Sequence, residues 1–130
     1  MQSEFSNRDK NKSTNSSILF LKFRRVILDE GHLIKNPVTA VSKACCAINA
    51  DRRWCVTGTP IVNSLHDVFG LLKFLKHEPW SSSSFWKNAI SNIMNDDDSE
   101  DGMKVALGRV KRVISPLLLR RTKDTLDKNG

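Results

Sequence analysis

The first half of the chain contains two short apolar runs separated by a segment long enough for one helix. Val26, Ile27 and Leu28 form the first run, and Arg53 to Thr57 form the second. Runs of this length are typical of strands buried on both faces, as in parallel sheets covered by helices. Because a strand, a helix and a second strand make a parallel crossover unit, the pattern predicts an α/β fold. Both strands should end at the same edge of one sheet.

The segment between the two runs has the spacing of a helix with one buried stripe. Asn36 offers a side-chain cap, and Pro37 occupies the favoured first helical position. Apolar residues recur at intervals of three and four: Val38, Val41, Cys45 and Ile48. We predict a helix from about Pro37 to Ile48 with this stripe buried.

Three further helices are predicted in the second half of the chain. They run from about Ser64 to Lys76, from about Ser84 to Met94 and from Met103 to Ser115, with an acidic loop at 95–102. The first has an apolar face of Leu65, Val68, Phe69, Leu72 and Leu75. The last is a basic amphipathic helix with Met103, Leu107, Val110 and Ile114 on one side.

Two adjacent carboxylates, Asp29 and Glu30, follow the first predicted strand, and His32 comes two residues later. Ligands of open α/β sheets bind beyond the carboxyl ends of the strands. Carboxylates there are costly to desolvate without a cation, and Mg²⁺ with its waters is the usual partner. On this interpretation Asp29 holds Mg²⁺ through water, and Glu30 orients or deprotonates an attacking water while His32 couples the site. The alternative is a strand that leads into a solvated acidic turn.

The second predicted strand runs into a turn formed by Thr57, Gly58, Thr59 and Pro60. The glycine permits backbone angles that other residues avoid, the proline stiffens the exit, and the hydroxyls can bridge neighbouring loops. Because parallel strands end at one edge, the threonines should lie near Asp29 and Glu30. Without the acidic pair upstream, the same sequence is more typical of a simple tight turn.

Three motifs occur in the order and spacing of a known family. They are Asp29-Glu30-Gly31-His32 followed by Ile34-Lys35-Asn36, then Thr57-Gly58-Thr59-Pro60-Ile61, then Leu119-Arg120-Arg121-Thr122-Lys123. From roughly Ser17 to Gly130 the chain resembles the Swi/Snf-type DNA-dependent ATPases of helicase superfamily two. The resemblance is to the branch that contains helicase-like transcription factor and the yeast post-replication-repair translocase. One departure is Val62, because the family commonly has glutamine at that position.

The resemblance implies a fold, two cofactors and a set of site residues. The fold is the C-terminal half of a RecA-like motor lobe, with parallel strands and covering helices, plus a helical protrusion. The cofactors are ATP and Mg²⁺, bound near Asp29 and Glu30, with Asp29 as the magnesium ligand through water. Glu30 and His32 are the catalytic residues, and the turn at 57–60 couples the ATP state to DNA. DNA contacts are assigned to Arg120, Arg121 and Lys123, and a structural role for the arginines stays equally open.

Four parts follow one another along the chain in this organisation. Residues 1–17 are polar and charged, which predicts a disordered segment or an insertion loop. Residues 18–78 form the lobe portion that carries the first two motifs. Residues 79–116 form the helical protrusion, and residues 117–130 form a basic closing segment truncated within the domain.

Composition agrees with a nucleic-acid partner but does not identify one. The chain has 21 Lys and Arg against 14 Asp and Glu, a net charge of +7, which suits a polyanion such as double-stranded DNA. No apolar run reaches the length of about 18 residues that crosses a membrane. An odd count of three cysteines makes no disulfide framework and indicates a reducing compartment. With the resemblance, this predicts a nuclear protein with chromatin or repair proteins as partners.

The interpretation is a fragment of an ATP-dependent double-stranded DNA translocase acting in DNA repair or chromatin remodelling. The sequence contains no Gly-x-x-x-x-Gly-Lys-Ser/Thr loop, so the phosphate-loop half-lobe and the second motor lobe would have to be supplied elsewhere. We therefore expect the isolated polypeptide neither to bind ATP tightly nor to hydrolyse it. The alternative is a truncated, non-catalytic DNA- or protein-binding paralogue.

Overall fold

The computed structural model describes residues 17–59, 65–95 and 101–120. Strand β1 is Lys22–Leu28 and strand β2 is Asn49–Cys55, with 3₁₀ turns at Ser17–Phe20 and Gly31–Ile34. The helices are α1 (Ala40–Ala47), α2 (His66–Leu75), α3 (Ser83–Trp86), α4 (Asn92–Met94) and α5 (Asp101–Ile114), and a π-helical turn, Lys87–Ser91, joins α3 to α4. The predictions for the amino-terminal loop, for a helix start at Ser64 and for most of the acidic loop fall outside the described residues.

The two strands pair in parallel, as the crossover pattern predicted. Cα partners run from Lys22 opposite Asn49 to Leu28 opposite Cys55, and α1 lies between the strands in sequence. Both strands begin about four residues earlier than their apolar runs. The added residues are mostly charged and exposed, so they carry no apolar signal, although an ion pair between Lys22 and Asp51 at 2.8 Å joins the two strands there.

Burial on both faces of the strands was predicted, and this prediction is wrong for the described part of the chain. On the inner face, Val26, Leu28 and Cys55 pack against Ile34, Leu71 and Phe74. On the outer face, Ile27 is 66% exposed and Trp54 is 61% exposed. The described helices therefore cover one face of the sheet.

Helix α1 begins at Ala40, three residues later than predicted, with a different buried face. Thr39 is the N-cap, because its hydroxyl oxygen accepts a hydrogen bond of 3.2 Å from the Ser42 backbone N–H. Val38 and Val41 are 67% and 59% exposed, so the predicted stripe is wrong at these two positions, whereas Cys45 packs against the core as predicted. The buried side is made of small residues, Ser42 with partly buried Cys45 and Cys46, which permit close contact with α2 and the Gly31–Ile34 turn.

Helix α2 joins the two parts of the core. One side packs with the protrusion in a cluster of Leu65, Val68, Phe69, Leu72, Trp86, Ile90, Ala106 and Val110. The other side packs with the sheet through Leu71 and Phe74. The apolar face predicted for α2 is confirmed, with Leu75 only partly buried.

The predicted face of α5 is correct at Val110 and wrong at Met103, which is exposed. Gly102 and Ala106 take its place in the buried face, because the close packing of this helix favours small side chains. No helix among the described residues is long and apolar enough to cross a membrane.

The N-cap of α1 gives a direct test of where this helix begins. Replacing Thr39 with alanine should lower the free energy of unfolding by about 1 kcal/mol, because the first turn loses a side-chain acceptor. Thr39→Ser keeps a hydroxyl in that place and should unfold nearly like the wild type in urea. Equal stability of both variants would show that α1 does not start at Ala40.

Candidate functional site

Hydrogen bonds beyond the strand ends bring the two predicted motifs together. The backbone N–H of Val56 donates to the carbonyl of Leu28 at 2.8 Å, and the N–H of Gly31 donates to the carbonyl of Val56 at 2.9 Å. Val56 thus connects the residue before the acidic pair with the residue after it. Asp29 and Glu30 therefore lie at the same edge of the sheet as the turn that begins at Thr57.

The acidic turn has an uncommon backbone. Glu30 lies in the left-handed region, with φ 51° and ψ 47°, where residues other than glycine are seldom found. Its N–H donates to Asp29 Oδ1 at 2.8 Å, which stabilises the turn locally. Such conformations cluster at functional sites, and this one leaves both carboxylates exposed to solvent.

His32 holds one oxygen of the Glu30 carboxylate. Its Nδ1 lies 3.2 Å from Glu30 Oε2, and the imidazole is more buried than the carboxylate. Among the described residues, nothing contacts Glu30 Oε1 within hydrogen-bond distance. One carboxylate oxygen is therefore oriented by the imidazole while the other faces solvent, an arrangement suited to accepting a proton from water.

Gly31 allows the end of β2 to come close to the acidic turn. A Cβ atom at this position would overlap the Cys55 sulfur and would lie 3.5 Å from the Val56 carbonyl oxygen and 3.6 Å from Leu71 Cδ2. The glycine between Glu30 and His32 thus sits directly against the strand that carries the second motif.

The second motif forms its own turn in the structure. The Thr57 hydroxyl accepts a hydrogen bond of 3.2 Å from the Thr59 N–H, and among the described residues it does not make the predicted bridge to another loop. Gly58 does not adopt a positive φ, and a Cβ there would meet nothing within 4 Å. The steric reason expected for this glycine is therefore wrong. Pro60 lies outside the described residues.

The segment after α5 returns to this edge of the sheet, which the sequence did not indicate. Leu117 and Leu118 line a small cavity, about 80 Å³ in volume, together with Thr57 and Cys55. Arg120 follows two residues later and is exposed, whereas Arg121 and Lys123 lie outside the described residues. The start of the predicted basic segment is therefore close to the second motif.

The donor set at Asp29 and Glu30 is compatible with a hydrated magnesium ion. Mg²⁺ keeps several waters and binds proteins through one or two carboxylates plus substrate phosphates. Asp29 Oδ1 is engaged by the Glu30 N–H, and its exposed partner oxygen has no contact among the described residues. The described residues contain no group of three His, Cys, Asp or Glu side chains that could hold a metal by themselves.

Burial raises the pKa of the Cys55 and Cys46 thiols. Both should therefore react with iodoacetamide more slowly in the folded chain than in urea, since the thiolate is the reactive form. A raised folded pKa adds stability below the unfolded value of about 8.5, and that contribution is lost as the pH rises. Site-resolved mass spectrometry measures the alkylation rate of each cysteine. Equal rates for the folded chain and for the chain in urea would contradict the prediction of slower alkylation.

Comparison with known proteins identifies the family of this chain. The family model described as the SNF2-related domain matches residues 6–129. The chain is 47% identical to DNA repair protein RAD5 of Gibberella zeae, 40% identical to DNA repair protein RAD5A of Arabidopsis thaliana and 42% identical to DNA repair protein rad8 of Schizosaccharomyces pombe. These matches cover 98%, 100% and 98% of the chain but only 11%, 12% and 11% of the relatives, so it spans about a tenth of their length.

A solved structure has the same fold. The chain is similar to the Sulfolobus solfataricus SWI2/SNF2 ATPase core in complex with dsDNA, with a TM-score of 0.68 and 30% identity. The match covers 85% of this chain and 23% of that one. The predicted α/β motor-lobe fold is confirmed by this likeness.

Proposed function

Because the chain belongs to the SNF2-related domain family, whose model matches residues 6–129, we propose that it is a segment of an ATP-dependent translocase on double-stranded DNA. The relatives named above are DNA repair proteins, and the solved structure named above is an ATPase core in complex with dsDNA. DNA repair in the nucleus is therefore the proposed setting, with chromatin or repair proteins as further partners. Most of the motor would come from sequence outside these 130 residues.

The acidic turn carries the chemistry in this proposal. Asp29 would hold Mg²⁺ through water, and the ion would neutralise charge on the ATP phosphates when bound. Glu30 orients the attacking water and accepts its proton through the free carboxylate oxygen. His32 fixes the other oxygen at 3.2 Å and so limits the rotation of the Glu30 side chain.

Coupling between nucleotide and DNA runs through the edge of the sheet. Val56 accepts a hydrogen bond from Gly31, inside the acidic motif, and is followed directly by Thr57. A displacement of the acidic turn on hydrolysis would therefore be transmitted through one backbone hydrogen bond to the turn at 57–60. The basic residues at Arg120, Arg121 and Lys123 are the proposed DNA contacts, since phosphates are read mainly by such side chains.

The pair of hydrogen bonds made by Val56 is the observation that carries this proposal. Through these bonds the carboxylate pair and the turn that begins at Thr57 lie at one sheet edge, where α/β folds bind their ligands.

ATP turnover with and without duplex DNA tests the proposal. The longer protein encoded by the complete transcript should hydrolyse ATP and do so faster with DNA. The 130-residue chain should show no turnover, because its sequence has no phosphate-binding loop. Turnover by the 130-residue chain would contradict the claim that the phosphate-binding loop must come from sequence outside it. A complete transcript that encodes no phosphate loop would favour the non-catalytic paralogue.

A further inference from the structure

The cavity of about 80 Å³ beside the second motif lies between the end of β2, helix α2 and the segment after α5. Its lining includes Cys55, Thr57, Leu71, Ile114, Leu117 and Leu118. Apart from one thiol and one hydroxyl, the described lining is aliphatic, so a water molecule would find few hydrogen-bond partners there. Protein cores are otherwise close-packed and deform little. The side chains around this cavity therefore have room to move that most core side chains lack.

Two side chains that line the cavity also support the acidic turn. A Cβ atom built on Gly31 would overlap the Cys55 sulfur and would lie 3.6 Å from Leu71 Cδ2. Both side chains thus lie next to the backbone that directly follows Glu30. The Cys55 side chain turns about a single bond with staggered positions. Its sulfur can therefore occupy discrete places, one against Gly31 and another in the cavity.

The segment after α5 forms another wall of the cavity. The backbone N–H groups of Leu117 and Leu118 donate to the Ile114 carbonyl at 2.9 and 2.8 Å, which fixes both residues to the end of α5. Leu119 and Arg120 follow directly and are exposed. The cavity therefore lies between the side chains that support the acidic turn and the segment that leads to the proposed DNA contacts.

We propose that Cys55 is a positioning residue that couples the acidic turn to the segment after α5. When the turn moves with the nucleotide state, the sulfur moves into the cavity and displaces the two leucines of that wall, and Arg120 with them. Coupling between two sites is reciprocal, so DNA bound at Arg120 adjusts the backbone beside Glu30 in return. This role rests on the proposed function, to which it adds a route separate from the hydrogen bonds of Val56.

Amide spectra of the 130-residue chain test the contact without any nucleotide. Leu118→Ala removes part of the cavity wall and should shift the Gly31 resonance in nitrogen–proton correlation spectra. Leu119→Ala is the matched control, because Leu119 is the next residue, is 78% exposed and does not line the cavity. In a Cys55→Ala background, Leu118→Ala should no longer shift the Gly31 resonance. A Gly31 resonance that ignores Leu118→Ala, or that responds equally to Leu119→Ala, would overturn the proposal.

ATP turnover by the longer protein tests the functional consequence. The ratio of DNA-stimulated to basal turnover should fall at least about threefold in Cys55→Ala and in Leu118→Ala. The double variant should show no larger loss than either single one, because both residues act through one shared cavity. Cys46→Ala is the control, since Cys46 packs on the same core cluster but neither lines the cavity nor borders Gly31. It should keep the wild-type ratio.

The ratio separates coupling from a general loss of structure. A merely structural role of Cys55 would lower both rates together and leave the ratio unchanged, and that result would overturn the proposal. Additive losses in the double variant would also overturn it. If the longer protein hydrolysed no ATP, the proposed function would fail, and the amide spectra would still decide the contact. Circular dichroism verifies each fold, and Cys55→Ser or Leu118→Val replaces an alanine variant that unfolds.

Discussion

Replacing Glu30 with glutamine in the longer protein should reduce ATP turnover by at least about a hundredfold while ATP binding is retained. The amide is nearly isosteric with the carboxylate, but it cannot accept the proton of the attacking water, a function worth about 10²–10⁴ in rate. The hydrogen bond between the Glu30 backbone and Asp29 does not involve the side chain of Glu30 and should survive. Steady-state turnover and equilibrium binding of a fluorescent ATP analogue are the two measurements.

A matched control separates the chemistry from a general effect of lost charge. Glu78 is another exposed glutamate, located in the turn after α2, where it accepts a hydrogen bond from the Ser81 hydroxyl. Glu78→Gln removes the same charge and should leave turnover unchanged. Turnover by Glu30→Gln within about twofold of the wild type would show that Glu30 has no catalytic role.

Replacing Gly70 with alanine should destabilise the fold by about 1–3 kcal/mol, the usual cost of overpacking. Gly70 is buried in α2, and a Cβ there would overlap the carbonyl oxygens of Ile34 and Lys35 and lie 2.7 Å from the Lys35 carbonyl carbon. These are backbone atoms, so the overlap cannot be relieved by rotation of a side chain. Relief would require α2 to move away from the turn that follows Glu30.

Gly108 in α5 is the control for this prediction. It is also inside a helix, but it is exposed and a Cβ there would meet nothing within 4 Å. Alanine is the better helix former, so Gly108→Ala should stabilise the chain by up to about 1 kcal/mol. Urea unfolding of both variants measures the difference. If both substitutions changed the free energy of unfolding in the same direction, the close approach at Gly70 would be contradicted.

The parallel crossover and the relation of the two motifs could be predicted because they follow from chain order. Two apolar runs around a helix-length segment fix the strand direction, and parallel strands end at one edge. The helix α2 was also predictable, since its apolar residues are large and regularly spaced and most of them are buried.

The helix faces that were wrongly predicted depend on small residues that carry no apolar signal. Ser42 in α1 and Ala106 in α5 are buried because neighbouring elements approach closely there. Val41 in α1 and Val38 before it are large and apolar, yet both are exposed. An apolar pattern reports side-chain chemistry, whereas close approach is a property of the assembled backbone.

Some features of the candidate site could likewise not be predicted from the sequence. The left-handed backbone of Glu30 and the contact of its carboxylate with His32 depend on the path of the turn. The return of Leu118 to the Thr57 turn depends on the orientation of α5. One signal was available for Gly70, because a glycine inside a helical pattern costs about 1 kcal/mol relative to alanine and a close packing contact is one reason to keep it.

A structure of the longer protein with a non-hydrolysable ATP analogue and Mg²⁺ tests the central claim most directly. The distance from the γ-phosphate to the carboxylates of Asp29 and Glu30 is the quantity to measure. We predict that the terminal phosphate lies at the carboxyl end of β1, with the ion bridged to Asp29 by water and Glu30 facing the phosphorus through one water. A nucleotide bound elsewhere, with the acidic turn open to solvent, would contradict the account.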